Sequence, residues 1–245
     1  MNKLIHELTR LYLVPGLVDE ALLQQRYLGQ HTLPVALGGS DGLTRAVVLH
    51  FPRQEGQEEM RHWHLLCEVA NALQTELKLP APGVSVSSAG GFSLWLSLAK
   101  PTPMSTTQEF VDLLRTSRFP EMEPGAIAAH ALADLPPCLN AATGRWAAFI
   151  NPGMGASFAE ESGLEMAPPA AAQAAFLEGL KSIDARQIAE ALAVLRPALA
   201  VSVVPAAPVS VPQPPGLLLK DATLEDIVRH LHARNIEPTF RHILP

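Results

Sequence analysis

The stretch that decides the fold is Gly83-Val84-Ser85-Val86-Ser87-Ser88-Ala89-Gly90-Gly91-Phe92-Ser93-Leu94-Trp95-Leu96-Ser97-Leu98. Residues 83–88 alternate in character, the period of a strand whose successive side chains point to opposite faces. Ala89-Gly90-Gly91 then provides a turn of small residues, and the alternation resumes over residues 92–98. This is a β-hairpin.

Working outward, Arg45-Ala46-Val47-Val48-Leu49-His50-Phe51 is a short apolar run ended by Pro52, which reads as a buried strand. Residues 145–150 form a second such strand, closed by Asn151-Pro152-Gly153. Helices are expected over residues 2–13, 17–27, 58–79, 105–115, 170–180 and 184–195. In the longest, Leu65, Leu66, Val69, Ala70, Leu73 and Leu77 share helical spacing, and Pro80 and Pro82 stop it. Ser105 or Thr106 is the expected cap of the fourth. Residues 118–140 read as proline-interrupted and irregular. The fold class is therefore α/β (α+β), an antiparallel or mixed sheet with flanking helices.

Three regions follow from composition. Residues 1–196 make the main domain, including the N-terminal helical pair. Residues 197–216 hold six prolines among Ala, Val and Ser and read as an extended linker. Residues 217–245 make a small module, with a helix over 223–233 and a strand over 238–243. Leu224, Ile227, Val228 and Leu231 form one apolar stripe on that helix. Docking on its own chain and capture of a protein partner are both open to it.

The chain has 245 residues, 48% of them hydrophobic and 17% charged, which is ample for a buried core. Its net charge of −6 excludes a uniformly basic nucleic-acid coat but leaves room for a local basic groove. No run approaches the roughly 20 apolar residues that span a bilayer, so no membrane partner is expected. The opening residues are amphipathic and carry charges, unlike a signal-peptide core. Cys67 and Cys138 are too few for a disulfide scaffold and read as reduced thiols. A cytoplasmic protein is the expectation.

The corners of the hairpin carry a resemblance. Ser88-Ala89-Gly90-Gly91-Phe92-Ser93-Leu94-Trp95, followed by Lys100-Pro101-Thr102-Pro103, resembles the second signature of the archaeo-eukaryotic primase superfamily. The branch it is most similar to is the primase-polymerases of bacterial mobile elements and conflict systems. Val48-Leu49-His50-Phe51-Pro52-Arg53 sits where that family carries its Asp-x-Asp strand. Arg118-Phe119-Pro120-Glu121-Met122-Glu123 resembles its Phe-Pro-x-x-Asp segment, and Leu135-Pro136-Pro137 and residues 144–151 resemble its later elements. The likeness covers about residues 27–195.

The departures decide the expected function. A family polymerase needs two carboxylates at i and i+2 of one strand to hold divalent metal against a triphosphate. Here those positions are His50 and Pro52, and the family's phosphate-contacting histidine is Ser93. Only the third acidic position remains, as Glu123. The resemblance therefore implies a vestigial site at His50, Ser93 and Glu123, without catalytic residues, metal or cofactor. It implies a catalytically degenerate protein that binds nucleic acid or a nucleoprotein partner in the replication or maintenance of a mobile element.

Two other readings stand beside this one. One is a protein-interaction adaptor with no nucleic-acid affinity, favoured by the acidic balance. The other is a single-metal nucleotidyl enzyme using His50 and Glu123.

Candidate nucleic-acid contacts are Ser88, Gly90 and Gly91 in the turn, with Arg45, Arg53 and Arg145 around the flanking strands. Arg115 and Arg118 follow the hairpin helix. For the turn, a tight hairpin is the simpler account; a phosphate cradle of backbone N–H groups and hydroxyls is the functional one. Trp95 and Trp146 can stack on bases, but their apolar surroundings favour core packing. His62, His64 and Cys67 lack a partner pair at zinc spacing and read as a solvated face with one buried thiol.

Overall fold

The computed structural model describes residues 1–53, 60–120, 132–160 and 162–196, all within one compact unit. Glu123, the linker over 197–216 and the module over 217–245 lie outside the described residues.

The hairpin is present as β3 (Gly83–Val86) and β4 (Phe92–Pro103). β2 (Leu43–Phe51), β6 (Cys138–Leu139) and β7 (Trp146–Phe149) complete a five-stranded sheet in the order β2-β4-β3-β7-β6. Every pairing in it is antiparallel. A second, two-stranded sheet pairs β1 (Val35–Ala36) with β5 (Leu132–Ala133). The α-helices are α1 (Asn2–Tyr12), α2 (Glu20–Tyr27), α3 (Arg61–Asn71), α4 (Met104–Arg118), α5 (Ala170–Glu178) and α6 (Ala185–Leu195).

Alternation along the strands divides these helices into two layers. Val47, Leu49 and Phe51 of β2 share a face with Phe92, Leu94, Leu96 and Leu98 of β4 and with Val84 and Val86 of β3. That face packs against α3, α4 and α6 through residues such as Leu66, Phe110 and Leu192. The opposite face carries Ala46, Val48, Trp95 and Phe149 and is covered by Leu4, Leu8 and Leu11 of α1 with Ala174 and Leu177 of α5. β4 is buried on both faces over residues 92–98 because both are covered. Its first face is large and branched; its second is Ser93, Trp95 and Ser97.

Several element ends differ from expectation for local reasons. The helix expected over 58–79 is α3 followed by a π-helical segment, Ala72–Glu76. The strand expected to end at Leu98 runs on to Pro103. Beyond Trp95, β3 no longer flanks β4, so the missing N–H of Pro101 and Pro103 costs no bond on that side. That extension also corrects the predicted cap: α4 begins directly after Pro103, and neither Ser105 nor Thr106 caps it. α6 shows a full capping box, with Asp184 accepting from the Arg186 and Gln187 N–H groups.

One buried side chain finishes the sheet. β6 is too short to reach Phe149, and Gln173 of α5 takes its place. The Phe149 N–H donates to Gln173 Oε1 at 2.9 Å, and Gln173 Nε2 donates to the Phe149 carbonyl at 2.9 Å. A Gln173→Leu variant keeps the volume but strands two backbone groups. It is expected to lose about 2–3 kcal/mol of stability, read from urea unfolding, whereas substitutions at exposed Gln24 should change little.

Candidate functional site

The register of three strands assembles a row of side chains at one end of the sheet. His50 lies opposite Ser93, and Ser93 opposite Ser85, so all three share a face. His50 Nδ1 and Ser93 Oγ are 2.8 Å apart and hydrogen-bonded. Ser85 Oγ accepts from the Trp95 indole N–H at 2.9 Å. The row floors a cleft of about 160 Å³, walled by Ser87, Ser88 and Asp134. Its polar groups are hydroxyls, imidazole and one carboxylate, set beside an apolar wall that includes Pro34, Leu132 and Pro136, which suits a ligand held by hydrogen bonds and partial apolar contact.

Of the three residues expected to converge, His50 and Ser93 are in contact and Glu123 lies outside the described residues. Among the described residues, no group of three or more His, Cys, Asp or Glu side chains comes together to hold a metal ion. Position 52, two residues along from His50, is a proline and offers no ligand atom.

The turn over residues 87–91 uses its polar groups on itself. The Ser87 N–H donates to the Gly91 carbonyl, the Gly90 N–H to the Ser87 carbonyl, and the Ala89 N–H to Ser87 Oγ. Gly90 and Gly91 have φ of +100° and +87°, the region glycine enters freely. A Cβ on Gly91 would also collide with the Phe51 carbonyl and lie 2.8 Å from the Arg53 nitrogen. These glycines are required by the hairpin and by the close passage of the chain leaving β2.

The arginines fall into separate places. Arg53 and Arg145 both border the turn end of the sheet. Arg53 pairs with the Glu160 carboxylate at 2.7 Å and donates to the Glu160 carbonyl at 2.9 Å. Arg145 pairs with Glu165 at 3.3 Å. Arg45 does not join them, because it sits near the start of β2, at the far end of the strand from His50. There it donates to the Leu98 and Ala99 carbonyls, and burial, with nearby Arg10, lowers its pKa. Arg115 and Arg118 are in the last turn of α4, in the other layer, where Arg118 pairs with Glu76.

Trp95 and Trp146 are buried. Trp95 packs against Tyr12 and Phe149, with ring centroids 5.3 and 5.8 Å away. The thiols of Cys67 and Cys138 are free, and burial pushes that of Cys138 up to about 12.

The solvated face expected around His62 is corrected. His62 is buried with its ring stacked on Phe92 at 5.4 Å, while His64 is exposed and Cys67 half-buried. The cause is that α3 turns His62 and Trp63 toward the sheet. Sequence reasoning also missed Asp134 and the segment around Glu160 and Glu165. Asp134 is brought in by the small β1–β5 sheet, whose two-residue strands leave no periodicity to read. The acidic run Glu160-Glu161 was visible, but nothing in spacing tied it to Arg53.

Burial lowers the pKa of His62, opposed in part by a backbone hydrogen bond at Ala159. The neutral ring is therefore the folded form, and the unfolded chain takes up the proton first as pH falls. Stability from this residue is complete above the ordinary value of 6.5 and is lost as pH drops below it. Urea midpoints measured between about pH 7.5 and about pH 5.5 should fall for the wild type and fall less for His62→Phe.

Compared with known protein families and with curated proteins, the chain matches none.

Proposed function

We propose that this chain is a primase-like domain that has lost polymerase chemistry and binds single-stranded nucleic acid at the His50–Ser93 end of its sheet. One observation carries the reading. The two positions that the resemblance assigns to metal and to nucleotide phosphate, 50 and 93, are cross-strand neighbours in one polar cleft of an antiparallel sheet. The meeting of these residues, 43 apart in sequence, supports the primase-like reading.

The chemistry at those positions explains the proposed loss. Imidazole and hydroxyl donate and accept hydrogen bonds, but they do not supply the paired negative charge that holds two divalent cations. Glu123 alone does not replace it. What remains suits holding rather than transfer: hydroxyls in the cleft, and Arg53 and Arg145 beside the turn at the same end of the sheet. The branch resembled belongs to mobile elements, so the proposed role lies in their replication or maintenance, and a cytoplasmic location fits it. Among the described residues, no helix is long and apolar enough to cross a membrane.

Binding of a fluorescent oligothymidylate, followed by anisotropy across a salt series, tests the proposal. The expected result is weak, sequence-independent binding that falls steeply with salt. Arg53→Ala with Arg145→Ala should reduce the slope of log K against log salt by about two. Incorporation of nucleotides with magnesium or manganese should not occur. Extension that vanishes in Glu123→Ala would instead establish the single-metal enzyme. No binding even at low salt would favour the adaptor reading, which the ion-paired state of both arginines and the net charge of −6 support.

A further inference from the structure

Both arginines that border the turn are held by carboxylates from one short stretch of chain. Glu160 takes Arg53 through its side chain at 2.7 Å and through its carbonyl at 2.9 Å, and Glu165 takes Arg145 at 3.3 Å. The stretch is anchored to the sheet. The Trp146 N–H donates to the Leu164 carbonyl and the Leu164 N–H to the Trp146 carbonyl, each at 2.8 Å, forming an isolated antiparallel bridge.

Ser162 and Gly163, between the two carboxylates, lie on the glycine turn itself. A Cβ on Gly163 would come within 3.0 Å of the Ser88 Cα, and one on Gly90 would lie 3.5 Å from Ser162 Oγ. Gly163 has φ of +76°, so absence of a side chain and backbone freedom are both used at this approach. The result is two carboxylates laid over the turn and the two cations that the proposed function assigns to nucleic-acid phosphates.

We infer that the segment carrying Glu160 and Glu165 is a built-in competitor for nucleic acid, its carboxylates occupying Arg53 and Arg145 until phosphates displace them. This rests on the nucleic-acid reading above and adds to it a means of holding affinity down. The ion pairs suit displacement. Side-chain exposure is 45% for Arg53 and 52% for Glu160, and 33% for Arg145 and 81% for Glu165, so solvent screens both pairs. The anchor does not depend on them, because the Trp146–Leu164 bridge is backbone to backbone.

The experiment compares oligothymidylate affinity at low salt for the wild type, Glu160→Gln with Glu165→Gln, and a charge-matched control. The control is Glu109→Gln with Glu178→Gln, which breaks ion pairs to Arg196 and Lys3 elsewhere. The first variant is expected to bind roughly tenfold more tightly than wild type, the scale of two exposed pairs. The control should gain much less, and Arg53→Ala with Arg145→Ala should cancel the gain in the Gln variant. Equal gains in both Glu-to-Gln variants would reduce the effect to net charge and overturn the competitor. Binding by wild type with no gain in the Gln variant would overturn it while leaving the nucleic-acid reading intact. No binding by any variant would overturn both. Circular dichroism melts of each variant confirm that a lost signal is not lost folding.

Discussion

The register between β2 and β4 is the constraint on which everything else depends. It puts His50 against Ser93, Val48 against Trp95 and Phe51 against Phe92. A slip by one residue would exchange faces along the whole of β2. Val47, Leu49 and Phe51 would leave the α3–α4–α6 layer, and His50 would be driven into it. Two devices hold this register. One is the Gly90–Gly91 turn, against which the chain leaving β2 passes too closely for any side chain at 91. The other is the irregularity between Thr44 and Ala46, which Thr44 stabilises by donating to the Leu37 carbonyl.

The two layers are unequal, and the difference explains where a cleft can exist. Against α3, α4 and α6 the sheet presents branched and aromatic side chains that fill the space between layers. On the other face, β4 offers Ser93 and Ser97 beside Trp95, with Ser85 and Gly83 on β3. Small residues leave room. Under α1 and α5 that room is taken by an aromatic cluster, in which Tyr12 and Phe176 stack on Phe149 while Trp95 meets Tyr12 at a tilt and Phe149 edge-on. Toward the turn the helices no longer reach, and Ser85, Ser93 and His50 face a hollow instead.

Much of this was legible in the chain itself. The hairpin, the strands at residues 45–51 and 145–150 and the helices followed from period and punctuation, because long amphipathic segments state their own geometry. The pairing of His50 with Ser93 came only through the resemblance, since no local signal links residues on separate strands. What stayed illegible is what tertiary contact decides. His62 lies between Arg61 and His64 with only Trp63 beside it to mark a buried face, yet Phe92 supplies a surface for its ring. Pro101 and Pro103 look like stops, yet the strand continues because its neighbour has already ended. Strands of two residues, as in β1, β5 and β6, carry no pattern at all; their partners define them.

The amide of Gln173 has a consequence for how this protein meets other copies of itself. An open strand edge is a template on which another chain can add, and at Phe149 the template is already read. A foreign strand arriving there would have to evict a side chain buried beneath α5 and match both of its bonds at once. Most sheets guard their margins with charge, proline or a covering loop. Here, beyond the end of β6, the guard is a single amide imitating a peptide group, which closes β7 at Phe149 with the same hydrogen bonds that an added strand would have used.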